Sequence, residues 1–327
     1  MSKIKYGQIG TGHAHASKFK DYQNSDLYDV VGIVEPNKSL RKRAIDSGRY
    51  KDANWITQEE LLNTPGLKVV GVETPVKDSL DTAEICLKEG FHVHIDKPAG
   101  MSLPHFKRLL DYAASRHLII QMGYMYRYNP AFVMLNQFLK NGWLGDVFEI
   151  HTVMSKVVSE GSREQLKHFE GGLMFELGCH LIDMVVHILG APEKVTPFMQ
   201  HASLKHDDGL KDNTLAVFEY PNALVSVKSA GMEVDGFERR HFVVCGTKGT
   251  FHIQPLDAPS VRFTLDAPRG KYKKGYQEIK FGSYPRYVKD LEDLASWVQG
   301  NSDSAYSYEH DYLVQKTILQ ASGLSLE

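Results

Sequence analysis

The chain has 327 residues, of which 42% are hydrophobic and 24% charged, with 38 basic and 40 acidic side chains and a formal net charge of −2. That length suits two domains, and the near balance of charge provides no field to steer nucleic acid or an anionic membrane. No apolar run approaches the roughly eighteen residues of a bilayer span, and the three scattered cysteines form neither a disulfide framework nor a zinc pattern.

In chain order, Ile4–Ile9 reads as a strand and Ala14–Lys20 as a helix, with the turn Gly10-Thr11-Gly12 between them. Tyr28–Val34 is a second strand, ending at Glu35. A dinucleotide needs those parts in that order: glycines that let the backbone approach a pyrophosphate, a helix N-terminus, and an acid for the adenosine ribose. A carboxylate at that place repels a 2′-phosphate, so Glu35 favours NAD over NADP. His15 stands where the third glycine of the fingerprint is expected, and His13 lies in the same turn.

Lys38–Ser47 reads as a helix, and Thr57 caps a short one over Gln58–Leu62 with Glu60 three residues on. Val69–Val72 is a strand ended by Thr74-Pro75, and Ser79–Glu89 a helix stopped by Gly90. Phe91–Ile95 is a strand leading into Asp96-Lys97-Pro98. Ser102 caps the helix Leu103–Arg116, and Leu118–Gly123 is a further strand. Strands spaced by helices mean βαβ units and a largely parallel sheet.

The rhythm changes after Gly123. Asn129-Pro130 opens a helix to Lys140, Val147–Val158 is a strand, Gly161–Gly172 a polar excursion, and Met174–Leu189 a helix. Strand-like runs follow at Val195–Ala202, Asn213–Tyr220, Ala223–Met232, Arg240–Cys245 and Thr250–Gln254, with no helices between them. They predict an antiparallel or mixed sheet with one covered face, of the kind that pairs with a second copy. Tyr287–Val298 and Glu309–Gly323 are helical. The expected domains are 1–123 for the dinucleotide and 124–327 for substrate and oligomerisation, with the C-terminal helices packing back on the first.

Two arrangements carry chemistry. Lys97 follows a strand of the parallel sheet, where ligands of open α/β sheets bind, so it is placed to polarise or protonate a substrate oxygen. A solvent-facing turn lysine is the competing reading. Glu176 and His180 are four apart on a largely apolar helix, and a histidine can take the proton of a hydroxyl as a hydride leaves. A solvent-facing pair is the alternative there. Asp183, a turn on, can meet His180 or nearby backbone. Gly178 in mid-helix implies a close neighbour. Tyr124, Tyr126, Arg127 and Arg163 are candidate pocket residues. His92 and His94 read as a strand's polar flank. With no His-Glu-x-x-His and no cysteine cluster, no metal is expected.

Together these motifs resemble the Gfo/Idh/MocA (glucose-fructose oxidoreductase/inositol dehydrogenase) family over nearly the whole length. The resemblance rests on Gly10-Thr11-Gly12, Thr74-Pro75, Asp96-Lys97-Pro98 as a form of the family's Glu-Lys-Pro signature, Gly142-Trp143-Leu144-Gly145-Asp146-Val147, and Glu176-x-Gly178-x-His180-x-x-Asp183. It implies an α/β fold, with an N-terminal Rossmann domain and a C-terminal α+β domain whose large, open, mostly antiparallel sheet mediates assembly into a dimer or tetramer. It implies Lys97 and His180 as catalytic residues, with Glu176 where the family usually has aspartate. Gly10, Thr11, Gly12, His13, His15, Glu35, Thr74, Pro75, Asp96, Lys97 and Pro98 are the expected cofactor contacts. Tyr124, Arg127, Arg163, Glu176 and His180 are the expected substrate contacts. The expected activity is hydride transfer between NAD and a sugar, cyclitol or related polyol in the cytoplasm. The alternatives are NAD-assisted glycoside cleavage or elimination without net redox, and a regulatory protein that only binds the dinucleotide.

Overall fold

The computed structural model describes residues 3–167 and 169–327. The chain divides into two compact units. The first takes the chain up to Tyr124, together with Pro285–Tyr312 and the terminal Glu327; the second takes Met125–Tyr284 and Leu313–Leu326.

In the first unit β1 (Ile4–Ile9), α1 (Phe19–Asn24), β2 (Tyr28–Val34), α2 (Lys38–Asp46), α3 (Gln58–Leu62), β3 (Leu67–Val72), α4 (Val76–Lys88), β4 (His92–Ile95), α5 (Leu103–Ser115) and β5 (Ile120–Met122) follow in order. The five strands form one parallel sheet in the order β2-β1-β3-β4-β5. The chain reverses direction across the sheet between β1 and β3, which opens a crevice at the carboxyl ends of those strands. The capping box at Thr57 and Glu60 forms as expected. The helix after the glycine turn starts later than its sequence indicates. Residues Ala16–Lys18 make a 3₁₀ turn first, with Lys18 N–H donating to the His15 carbonyl at 2.9 Å. Stacked Tyr6 and Tyr22, with Tyr28 edge-on to both, fill the core on one side of this sheet.

The second unit begins with a 3₁₀ turn, Met125–Tyr128, then α6 (Pro130–Lys140), β6 (Val147–Val153), α7 (Glu160–Leu166), a turn of π-helix over Met174–Gly178, and α8 (Cys179–Leu189). Then come β7 (Lys194–Gln200), β8 (Asn213–Tyr220), β9 (Ala223–Ala230), α9 (Gly236–Arg239), β10 (His241–Gly246), β11 (Gly249–Ile253), β12 (Ser260–Leu265) and β13 (Gly275–Lys280). Their order is β13-β12-β11-β10-β6-β9-β8-β7, antiparallel except for the β6–β9 pair. Ile150, Val225, Phe218, Phe242, Val244, Phe251 and Phe263 point to one face and are buried. Phe132 and Phe138 of α6 meet Phe242 and Phe251 there, with ring centroids 5.0 Å apart.

The polar excursion at 161–172 contains α7, whose Ser159 cap accepts from Ser162 N–H at 3.3 Å. Two strands extend the sheet beyond the six expected. Apolar residues alternate in β12 at Val261, Phe263 and Leu265; β13 has no such pattern and is an edge held by pairing with β12. Last come α10 (Val288–Val298) and α11 (Tyr308–Ala321). The α10 helix joins the first unit, where Tyr28 donates to the Leu291 carbonyl at 2.7 Å and Gln121 to the Asp290 carbonyl at 3.0 Å. No helix among the described residues is long and apolar enough to cross a membrane.

Candidate active site

The carboxyl ends of the first four strands bring together Gly10–His15, Glu35, Glu73-Thr74-Pro75 and Asp96-Lys97-Pro98. Gly10 has φ +98°, and a Cβ there would lie 2.4 Å from the Thr74 backbone nitrogen. Only glycine lets β1 turn so close to the end of β3. A Cβ on Gly12 would meet the Pro75 ring at 2.8 Å. Glu35 turns back onto the glycine turn. It accepts from Thr11 N–H at 2.7 Å, from the Thr11 hydroxyl at 2.8 Å and from Asn37 N–H at 3.0 Å. A cradle that admits no Cβ, a carboxylate fixed over it and a buried Thr74 hydroxyl without a hydrogen-bond partner fit a dinucleotide.

His15 does not leave a gap where the third glycine is missing. Its Nδ1 lies 3.1 Å from Asp96 Oδ1, and His13 Nε2 lies 3.0 Å from the Lys97 carbonyl oxygen. Lys97 itself is buried; its N–H donates to Asp96 Oδ1 at 2.7 Å, and the Lys97–Pro98 peptide is cis.

Behind this turn lies a residue that sequence reading passed over. The Lys18 side chain is 1% exposed. Its Nζ is 2.5 Å from Asp96 Oδ2, 2.8 Å from His94 Nε2 and 3.2 Å from Glu73 Oε1. Those three groups have donor atoms mutually within 4.8 Å, as metal ligands do, but the cation among them is the ammonium. Burial pushes the Glu73 carboxyl up to about 8, against the pull of Lys18. Burial also opposes ionisation of Asp96, yet the charges of His13, Lys18 and His15 outweigh it and hold that carboxyl well below its usual range. His94 is correspondingly neutral, its ring lowered to about 3 by burial and by Lys18. His94 is therefore no part of a polar strand flank. It is fully buried, and its Nδ1 lies 2.8 Å from Gln121 Oε1. A lysine directly before Phe19, where α1 begins, was the sequence sign of this cluster.

In the second unit, His180 sits in the first turn of α8, 2% exposed, with its ring 5.4 Å from that of Tyr126. Glu176 lies in the preceding π turn and is half-buried. The wider turn changes the angle between residues four apart, so the shared face expected for Glu176 and His180 does not follow from spacing. The close neighbour of Gly178 is the Met174 side chain, whose sulfur would lie 2.5 Å from a Cβ. Asp183 pairs with Arg127, with the guanidinium Nη2 2.7 Å from Oδ1 and Nε within 3.2 Å of both oxygens. Both are buried. Tyr126 donates to Asp257 Oδ1 at 3.3 Å, and Tyr124 is buried in the first unit. Arg163 is held by Asp208 at 2.5 Å and Asp212 at 2.9 Å, which commits its guanidinium to a structural ion-pair cluster.

Two descriptions of one family match consecutive stretches of the chain between residues 4 and 252. "Oxidoreductase family, NAD-binding Rossmann fold" matches residues 4–124, and "GFO/IDH/MocA C-terminal domain" matches residues 132–252. The chain belongs to the Gfo/Idh/MocA oxidoreductases. It is an enzyme of the dehydrogenase or reductase type with a nicotinamide-dinucleotide-binding domain. Among Gfo/Idh/MocA relatives, an uncharacterised oxidoreductase of Schizosaccharomyces pombe is 29% identical over 86% of this chain and 76% of its own. Myo-inositol 2-dehydrogenase of Thermotoga maritima is 21% identical over 99% of this chain and 97% of its own. GenD2 of gentamicin A biosynthesis, solved in complex with NAD, shares the fold with TM-score 0.79 at 18% identity, over 98% of this chain and 93% of its own.

Proposed function

We propose that the enzyme transfers hydride between NAD and a carbon bearing a hydroxyl, or the matching carbonyl, of a sugar, cyclitol or related polyol. The observation that carries this reading is the tie between the glycine turn and Asp96-Lys97: two histidines of the cofactor turn bond to the segment bearing a buried lysine. When bound, the dinucleotide supplies the hydride acceptor or donor. Gly10, Thr11, Gly12 and Thr74 would hold its phosphates, and Glu35 the hydroxyls of its adenosine ribose. The Thr11 and Asn37 donors hold the Glu35 carboxylate in place, and a 2′-phosphate there meets like charge. We therefore expect NADH to bind at least about tenfold more tightly than NADPH, by fluorescence titration, which is roughly 1.4 kcal/mol of repulsion. Equal affinities would refute the Glu35 argument.

In the oxidative direction His180 accepts the proton of the substrate hydroxyl, and the Lys97 ammonium stabilises the developing alkoxide. In the reductive direction the same two groups return the proton. Glu176 orients a neighbouring hydroxyl. Lys97→Ala and His180→Ala should each lower kcat/KM by about 10²-fold or more at unchanged NADH affinity. The substrate for that assay comes from screening inositols, aldoses, ketoses and their acids with NAD for NADH formation. Full turnover in either variant removes that residue from the mechanism. Loss of a leaving group without net NADH would assign the site to elimination instead. Inositol dehydrogenation by the Thermotoga relative supports the polyol class.

The open face of the large sheet supports assembly with a second copy. Phe198, Leu224 and Tyr276 are exposed there at 52%, 59% and 64%, more apolar surface than a lone sheet face usually shows water.

A further inference from the structure

The buried cluster around Lys18 bears directly on where Lys97 sits. Lys18 ends the short 3₁₀ turn that follows the glycine turn, so its backbone moves with Gly10–His15. Its ammonium is 2.5 Å from one oxygen of Asp96, and the other oxygen of that carboxylate receives the Lys97 N–H. His13 holds the opposite side of the same residue through the Lys97 carbonyl. The peptide of Lys97 is thus gripped at both its donor and its acceptor, and both grips lead back to the cofactor turn.

We propose that Lys18 is a positioning residue for Lys97: it pins Asp96, and through Asp96 it locks the Lys97 backbone to the turn that carries the dinucleotide. The role assigned to Lys97 rests on the hydride-transfer reading; the mechanical link does not. A carboxylate free to rotate cannot hold an amide in one place, and Asp96 has four neighbours competing for it: Lys18, His13, His15 and the Lys97 N–H. An ammonium fixes which oxygen each of the others receives. A purely structural lysine could have been placed at the surface of this sheet with a long solvated stem. Lys18 is instead enclosed by Glu73, His94 and Asp96 at the strand ends and by Tyr287, whose ring centroid is 5.4 Å from the ammonium. Asp290 of α10 adds its field from the same side.

Amide hydrogen exchange of the full-length protein, followed by NMR with and without NADH, reads this link without any substrate. In Lys18→Met the Lys97 amide should exchange about tenfold faster or more, while amides in the middle of β1 and β3, such as Tyr6 and Val70, change less than about threefold. Lys18→Arg, which keeps the charge, should restore part of the protection. Because Lys18→Met strands the buried Asp96 carboxylate and can unfold the domain, the paired variant Lys18→Met/Asp96→Asn, which leaves no buried charge unpaired and keeps an amide oxygen to accept the Lys97 N–H, is the second measurement. Unchanged exchange at Lys97 in a folded variant overturns the proposal. So does a uniform rise across the sheet, which would make Lys18 a general stability residue. Full turnover by Lys97→Ala would instead overturn the hydride reading and leave the exchange result standing.

Discussion

Glu73 and His94 sit in one buried cluster but respond to pH in opposite senses. The Glu73 carboxyl is held up to about 8 by burial, whereas an unfolded glutamate ionises near 4.3. Between those values the unfolded state binds fewer protons than the native one, so stability falls as pH rises through the window. Glutamine cannot ionise. Relative to the parent, Glu73→Gln should therefore gain about 4 kcal/mol of stability between pH 5 and pH 8.5 in denaturant unfolding. A constant difference at both pH values would show that Glu73 is ionised throughout. His94 acts from the acid side: its folded value near 3 lies below the unfolded value near 6.5, so its contribution is lost as pH falls below about 6.5. The Asp96 and Lys18 charges persist across both windows, which keeps the grip on Lys97 intact while its neighbours titrate.

Among elements, a buried ion pair joins the Met125–Tyr128 turn to α8. Arg127 reads as a pocket residue in sequence, but its guanidinium faces Asp183 with three hydrogen bonds. Removing a single partner of such a pair leaves a buried charge. Arg127→Met should cost about 3–5 kcal/mol in urea unfolding, and Arg127→Met/Asp183→Asn should recover a large part of it. Equal losses in the single and double variants would show that the pairing is not what joins the two elements. The same elements show how far local pattern reaches. Caps at Thr57, Ser102 and Asn129 were legible because a helix terminus leaves N–H groups that a neighbouring side chain must satisfy. The π turn at Met174–Gly178 was not, since its i→i+5 bonds have no sequence period of their own. The edge strand β13 escaped for a related reason: one face never packs, so no alternation is selected.

For the whole molecule, eight strands of the second sheet expose one face to solvent, and Leu224 lies in its central region on β9. If that face joins a second copy, a charge placed there is buried unpaired in the assembly. Leu224→Glu should then shift the sedimentation mass toward the monomer while leaving the monomer's fold and circular dichroism unchanged. A parent protein already monomeric at micromolar concentration would dismiss the assembly reading outright. Both sheets, their strand direction and the change of rhythm after Gly123 could be read from sequence, because period and connection length report whether helices separate the strands. The family could be read from the same motifs and is borne out by matches to both of its domains.

What the sequence by itself determined is therefore the local chemistry: glycines where backbone must approach backbone, an acid at the end of β2, and a lysine before a proline at the end of β4. Which charges face one another inside the first unit was decided only by tertiary structure. Lys18, Glu73 and the His94–Asp96 strand end lie on three separate stretches of chain, and no spacing rule connects the three. Burial makes their meeting energetically decisive, because a charge removed from water must find its counter-charge among whatever the fold brings near.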